Sequence, residues 1–135
     1  MSEAARTEPS RQLAFNLPHR PALGREDFWV AQSNEAAVAQ VEAWPDWPGT
    51  GLAIVGPRGS GKTHLAHVFA QEAKCELLDL ADVSMHRLDD WVERGAVAFD
   101  CPGAEVPEFD QEALFHLFNA MKASGGHILI AATEP

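Results

Sequence analysis

The sequence predicts an α/β protein in which helices cover both faces of a parallel sheet. Short apolar runs alternate with longer segments of helical periodicity over most of the chain. Buried parallel strands are continuously apolar, whereas the helices that cover them are apolar on one side only. The 135 residues, of which 46% are hydrophobic, fit one small domain with one core.

The chain divides into a polar tail, an arm and the α/β part. Residues 1–10 are mostly small, polar or charged, and we expect a disordered tail there. Residues 11–30 include Pro18 and Pro21, which disfavour regular helix, so an extended arm is expected. Residues 31–135 then form the α/β domain.

Four strands and four helices are expected within this domain. Each strand is a short apolar run, and the helices are marked by apolar faces, capping residues or terminal glycines. The strands are expected at residues 52–55, 75–80, 96–100 and 127–132, and the helices at about 34–44, 62–74, 83–93 and 110–124. Ser33 or Asn34 would cap the first helix and Asp110 the last. Met85 and Trp91 would lie on the apolar face of the third.

A glycine-rich loop follows the first of these strands and leads into a helix. Its residues match the pattern G-x-x-x-x-G-K-[ST], which is typical of the P-loop that binds nucleotide phosphates. Glycines there let backbone N–H groups face phosphate oxygens beside the positive end of the helix. The expected nucleotide-binding residues are Gly56, Pro57, Arg58, Gly59, Ser60, Gly61, Lys62, Thr63 and His64. A chance glycine-rich turn is the alternative.

Two side chains of this loop have specific roles in the interpretation. Lys62 would place its charge on the β- and γ-phosphates, and the Thr63 hydroxyl would bind Mg²⁺. The expected cofactors are therefore ATP or ADP with Mg²⁺, and the Lys62 side chain is expected to be exposed without them. Arg58 either contacts phosphate or is a solvated loop arginine. His64 and His67, three apart on the helix, fit ordinary histidines better than a metal site.

A carboxylate at the end of another buried strand completes the expected site. Asp100 would hold Mg²⁺ through water as a metal-associated catalytic residue, together with Lys62; a solvated aspartate opening a loop is the alternative. Many P-loop ATPases carry a second acid at the next position, which orients the attacking water. Here that residue is Cys101, whose thiol is a poor acceptor. Hydrolysis is therefore expected to be weak or absent, unless Glu105 or Glu108 substitutes.

Charge and composition narrow the classes of partner. The net charge is −10 and the basic residues are scattered, so strong direct DNA binding is not expected. Cys75 and Cys101 have no metal-site spacing and read as reduced thiols. The N-terminus lacks the apolar stretch of a secretory signal, and no apolar run reaches the ~18 residues of a membrane span. A cytoplasmic protein without a membrane partner is expected.

Five stretches of the sequence carry a resemblance to a known family: LPHRPALGREDFWVAQSNEAA, GKTHLAH, the strand ending at Asp100, DQEALFHLFNAM and HILIAATEP. They resemble the AAA+ core of the bacterial replication initiator DnaA and, more closely, its shorter regulatory relatives of the Hda type. The likeness spans about residues 12–135. It implies a P-loop NTPase fold of the AAA+ type.

The resemblance also implies a function. In that family the regulator docks on the DNA polymerase III sliding clamp and promotes hydrolysis of DnaA-bound ATP, which limits re-initiation of replication. It implies clamp and DnaA as partners, leaves a homo-oligomer open, and places residues 28–34 near the adenine. The arginine finger, sensor arginine and helical lid of the family lie beyond Pro135, so an incomplete core without the lid is expected.

A short peptide in the arm resembles the clamp-binding hexapeptide of the type Q-L-x-L-x-L. An extended peptide offers alternate apolar side chains to pockets, while the glutamine hydrogen-bonds at one end. The expected partner-binding residues are Gln12, Leu13, Phe15 and Leu17. An arm that packs on its own domain is the alternative.

Three rival functions remain. The first is a nucleotide-dependent interaction module without hydrolysis, which Cys101 favours. The second is a helicase-loader-like AAA+ protein, which would have no reason to carry the clamp-like peptide. The third is a metabolic P-loop kinase, which would need an acceptor-binding segment and usually a basic lid.

Overall fold

The structure, a computed structural model, describes residues 28–32, 35–57, 60–101 and 107–133. The expected tail, the greater part of the arm and the peptide at residues 12–17 lie outside the described residues.

The described residues form one parallel sheet of five strands. The strands are β1 (Phe28–Gln32), β2 (Gly51–Gly56), β3 (Leu77–Asp79), β4 (Ala96–Asp100) and β5 (His127–Thr133). Their order across the sheet is β1-β2-β5-β4-β3, and all four neighbouring pairs are parallel. The predicted α/β class with a parallel sheet is confirmed.

Four α-helices connect these strands within the described residues. They are α1 (Glu35–Ala43), α2 (Lys62–Ala73), α3 (Leu88–Arg94) and α4 (Gln111–Ser124). The expected cap of α4 is present, because the Asp110 carboxylate accepts a hydrogen bond from the Ala113 N–H at 2.9 Å. The other predicted cap, Ser33 or Asn34, lies outside the described residues.

The helices cover both faces of the sheet, as predicted. On one face, α1 and α2 pack on the strands in a buried cluster that includes Val41 and Phe69. On the other face, α3 and α4 supply Trp91 and Phe118 to a second cluster around Phe99. Alternate residues of the central strands enter the two clusters, which explains why these strands read as continuous apolar runs.

Strand β1 was not predicted as part of the sheet. An extended arm was expected up to residue 30, and Phe28–Gln32 is extended but also pairs in register with Gly51 to Val55 of β2. Its few residues carry no clear strand pattern, and its partner lies more than twenty residues further along the chain. Only the tertiary structure shows that this segment is a strand of the sheet, next to β2 and outermost among the described strands.

The third predicted helix is shorter than expected. A 3₁₀ turn at Leu80–Asp82 is capped by the Asp79 carboxylate, and a second 3₁₀ turn at Met85–Arg87 precedes α3. These turns bury Leu80 instead, and leave Met85 52% exposed. The expectation that Met85 faces the core was therefore wrong.

The winding of the chain sends helices to opposite faces of the sheet. Helix α2, which follows β2, lies on one face, whereas α4, which follows β4, lies on the other. Ligands of open α/β sheets bind outside the carboxyl ends of strands where the connections part to opposite faces. In this chain the connections part at the carboxyl ends of β2, β5 and β4, and this place is called the crevice below.

Candidate functional site

The glycine-rich loop joins the carboxyl end of β2 to the first turn of α2. Gly61 is the residue before the helix, and its φ of 94° is a left-handed value that favours glycine. The Gly61 carbonyl accepts the first helical bond, from the Leu65 N–H at 3.0 Å. The first N–H groups of a helix have no partner within the helix, so the start of α2 can donate to an anion at the crevice.

Lys62 is buried under the loop. Its residue is 4% exposed, and its ammonium donates to the Pro57 carbonyl at 3.3 Å. The expectation that this side chain is exposed was therefore wrong. The apolar stem of a lysine packs readily against its surroundings while the charged end finds an acceptor. The contact with Pro57 holds the charge beside the loop.

Thr63 and Asp100 meet at the crevice. The Thr63 hydroxyl lies 3.2 Å and 3.4 Å from the two oxygens of the Asp100 carboxylate. The contact arises because α2 packs over β4 and β5, so the first turn of α2 lies above the end of β4. The two residues are 37 positions apart in the sequence. The structure thus brings together the two side chains that were predicted to serve Mg²⁺.

The protein supplies few ligands for a cation at this point. Among the described residues, no group of three or more His, Cys, Asp or Glu side chains could hold a metal ion. Mg²⁺ in nucleotide sites keeps several waters and is bound by one or two protein side chains plus phosphate oxygens. A hydroxyl beside one carboxylate fits that mode of binding, in which the nucleotide completes the coordination.

Cys101 faces away from the crevice. It is 1% exposed and belongs to the apolar cluster around Phe99 on the face covered by α3 and α4. Burial, together with the nearby carboxylates of Asp100 and Asp79, raises the pKa of its thiol to about 12, against a smaller opposing effect of Lys62. The thiol is therefore protonated and apolar in character at neutral pH.

Asp79 is a carboxylate at this edge that the sequence interpretation did not single out. It ends β3, and its Cα pairs in register with that of Asp100. The strand was expected to run on to residue 80, and only its observed end at Asp79 makes this residue comparable to Asp100. The two acids are neighbours only because β3 pairs with β4.

The remaining predicted site residues in the described part lie in the glycine-rich loop and at the start of α2. Gly56 ends β2, Pro57 is exposed, and the Ser60 N–H donates to the Pro57 carbonyl at 3.2 Å within the loop. His64 is exposed in the first turn of α2. Three further residues with predicted roles lie outside the described part of the chain: Arg58, Gly59 and Glu105.

Comparison of the chain with protein-family models, with curated proteins and with solved structures gave no match. The class of protein is therefore defined by the chain's own geometry, as an α/β protein with a five-stranded parallel sheet. Within the described ranges, none of the helices is both long and apolar enough to cross a lipid bilayer.

Proposed function

We propose that this chain binds ATP or ADP together with Mg²⁺ at the start of α2, as a P-loop protein of the AAA+ type. The single observation that carries the proposal is the contact between Thr63 and Asp100. The P-loop pattern requires its threonine and the acid of a second strand to share one cation. These two residues come from distant parts of the sequence and meet at the expected edge of the sheet.

Three further features support the same proposal. Lys62 adds a positive charge beside the loop, and the start of α2 adds N–H donors and the positive end of the helix. The left-handed backbone of Gly61 supports the reading of the pattern as a real loop rather than a chance turn. The Lys62 ammonium and the N–H groups at the start of α2 can bind phosphate oxygens together.

Calorimetric titration with ATP and ADP in the presence of Mg²⁺ tests the proposal. Lys62→Ala should abolish binding, because the charge that faces the phosphates is removed. Lys62 is buried, so Lys62→Met is the second variant, which keeps the volume but not the charge. Lys122→Ala, in the last turn of α4, removes one positive charge at the other end of the molecule and should bind like the wild type.

Circular dichroism of each variant accompanies the titrations. Folded Lys62→Met protein that binds ATP as the wild type does would remove Lys62 from the site. Absence of ATP and ADP binding by the folded wild type would overturn the proposal as a whole.

We further propose that the chain acts as a DnaA-related regulator of replication initiation. What supports this is the resemblance of its sequence to the Hda-type regulators, including the peptide at residues 12–17. In this proposal the peptide binds the DNA polymerase sliding clamp, and the nucleotide-bound domain promotes inactivation of ATP-bound DnaA. Cytoplasmic location and the absence of strong direct DNA binding are parts of the same proposal.

Clamp binding has its own test. Gln12→Ala with Leu13→Ala should abolish binding of purified clamp, which for one peptide is expected at micromolar affinity. In an extended peptide alternate side chains project to opposite sides. Asn16→Ala with Ala14→Ser therefore changes the side away from the pockets and serves as the control. Equal affinity for all three proteins, or no clamp binding by the wild type, would contradict the clamp proposal and leave nucleotide binding untouched.

A nucleotide-dependent interaction module without hydrolysis is the second candidate. The observation that favours it is the burial of Cys101, because the position that carries a second acid in many P-loop ATPases faces the core here. Release of inorganic phosphate from ATP tests this candidate. Turnover by the isolated chain that is lost in Lys62→Met would exclude the module, and absence of turnover with intact ATP binding would support it.

A further inference from the structure

Two carboxylates stand side by side where β3 and β4 end. Asp79 and Asp100 are Cα partners in register, on strands that lie about 4.8 Å apart. Residues that pair in register on neighbouring strands extend from the same face of a sheet. Asp100 contacts Thr63 of α2, so the face in question is the one that α2 covers. Asp79 is thus on the cation side of the crevice.

Positive charge at this edge is sparse in the described part of the chain. Lys74, Arg94 and Lys122 lie at the carboxyl ends of their helices, which is the opposite edge of the sheet. Arg87 is paired with Glu76, which precedes β3 and so also lies towards that opposite edge. Lys62 is the described basic side chain that remains near the crevice.

We infer that Asp79 is a positioning residue that makes nucleotide binding depend on a divalent cation. This inference rests on the proposed nucleotide site. Without a cation, the two carboxylates repel a polyphosphate that enters beside Thr63, and Lys62 offsets only part of that repulsion. With Mg²⁺, both carboxylates attract the cation, Asp100 from its place beside Thr63 and Asp79 from the end of the neighbouring strand.

The hydrogen bond that the Asp79 carboxylate accepts allows a substitution that removes its charge without breaking this bond. One oxygen of its carboxylate accepts the Ala81 N–H at 2.9 Å and so caps the 3₁₀ turn that follows β3. Asparagine is as good a cap as aspartate, because its side-chain oxygen accepts the same bond. Asp79→Asn therefore removes the charge and keeps the turn.

The experiment measures the affinity for ADP with Mg²⁺ and with a chelator instead, by calorimetry on the full chain. The quantity of interest is the affinity for ADP with Mg²⁺ divided by the affinity for ADP with the chelator. Asp79→Asn should lower this ratio about three- to tenfold, by weakening binding with Mg²⁺ and strengthening it without. Glu72→Gln is the control, since it makes the same change in charge about 14 Å from Thr63 along α2. Its ratio should equal that of the wild type.

The outcomes separate this inference from the proposed function. A wild type that binds ADP, with the same ratio in wild type and Asp79→Asn, would overturn the role of Asp79 and leave the nucleotide site standing. A purely structural effect of the substitution would weaken binding equally in both conditions, leave the ratio unchanged, and therefore also overturn it. A wild type that binds neither ADP nor ATP would overturn the proposed function.

Discussion

Cys101 shows how the direction of a single side chain changes an argument about function. Cys101 directly follows Asp100, and successive side chains of an extended chain point to opposite faces of the sheet. Asp100 therefore faces α2, whereas Cys101 enters the cluster on the other face. A carboxylate placed at this position would be surrounded by apolar side chains such as Phe99. Cys101→Asp would therefore not supply a second acid to the candidate site.

At this residue we predict a loss of stability. Cys101→Asp should lower the free energy of unfolding by about 3 kcal/mol or more, because it buries a charge without a partner. Cys101→Ala removes only a small apolar group and should cost about 1 kcal/mol. Chemical denaturation of the two variants and the wild type measures both changes. An aspartate variant as stable as the alanine variant would show that the position opens to solvent.

At the scale of an element, the turn between α4 and β5 is closely packed. Gly125 ends α4 with a left-handed φ of 80°, and the Gly126 N–H donates to the Met121 carbonyl at 2.8 Å. The Gly95 carbonyl, at the end of α3, accepts from the His127 N–H at 3.0 Å. Two helix ends thus meet at the first residue of β5, which sets where that strand enters the sheet.

Glycine at position 126 is required by the space around it. A Cβ there would lie 2.9 Å from the Gly95 carbonyl oxygen and would collide with the Met121 sulfur. Gly126→Ala should therefore destabilise the protein by about 1–3 kcal/mol. Gly49→Ala is the matched control, because nothing lies within 4 Å of its Cβ position. It should be neutral or stabilising by up to about 1 kcal/mol.

Thermal denaturation of both glycine variants tests this pair of expectations. Equal melting temperatures for Gly126→Ala and Gly49→Ala would contradict the close approach of the two helix ends.

At the scale of the whole molecule, an aromatic cluster ties three distant segments together. Trp47 of the loop after α1 stacks on Phe69 of α2 with ring centroids 5.3 Å apart. Trp44 donates its indole N–H to Nδ1 of His127, at the start of β5, over 3.1 Å. The bond requires that Nδ1 carries no proton. Burial lowers the pKa of His127 below its ordinary value of 6.5.

This cluster predicts a pH dependence of stability. The unfolded chain binds a proton on this histidine more readily than the folded one, so the folded state loses stability as pH falls below about 6.5. Above that pH the contribution is fully present. The melting temperature should therefore fall between about pH 7.5 and about pH 5.5, and more in the wild type than in His127→Asn. Asparagine keeps an acceptor near Nδ1 and does not titrate.

Melting curves followed by circular dichroism at the two pH values supply the measurement. A fall of the same size in both proteins would mean that other groups cause the acid sensitivity and that His127 does not contribute.

Much of the fold follows from local features of the sequence. Four of the five strands, the four helices and the Asp110 cap are marked by apolar runs, helical periodicity and capping residues, which act over a few neighbours. The P-loop pattern is likewise a short contiguous motif, so the sequence alone identifies Lys62 and Thr63 as candidate site residues. Asp100 is identified in the same way, because an acid directly follows a buried run.

Other features were decided by the tertiary structure, because they depend on contacts between distant residues. The sequence alone determined the α/β class, the glycine-rich loop and the acid that ends β4. The pairing of β1 with β2, the burial of Lys62 and the orientation of Cys101 depended on how the sheet and its helices pack. So did the place of Asp79 beside Asp100, since the order of the strands depends on pairing between segments that lie far apart in the sequence.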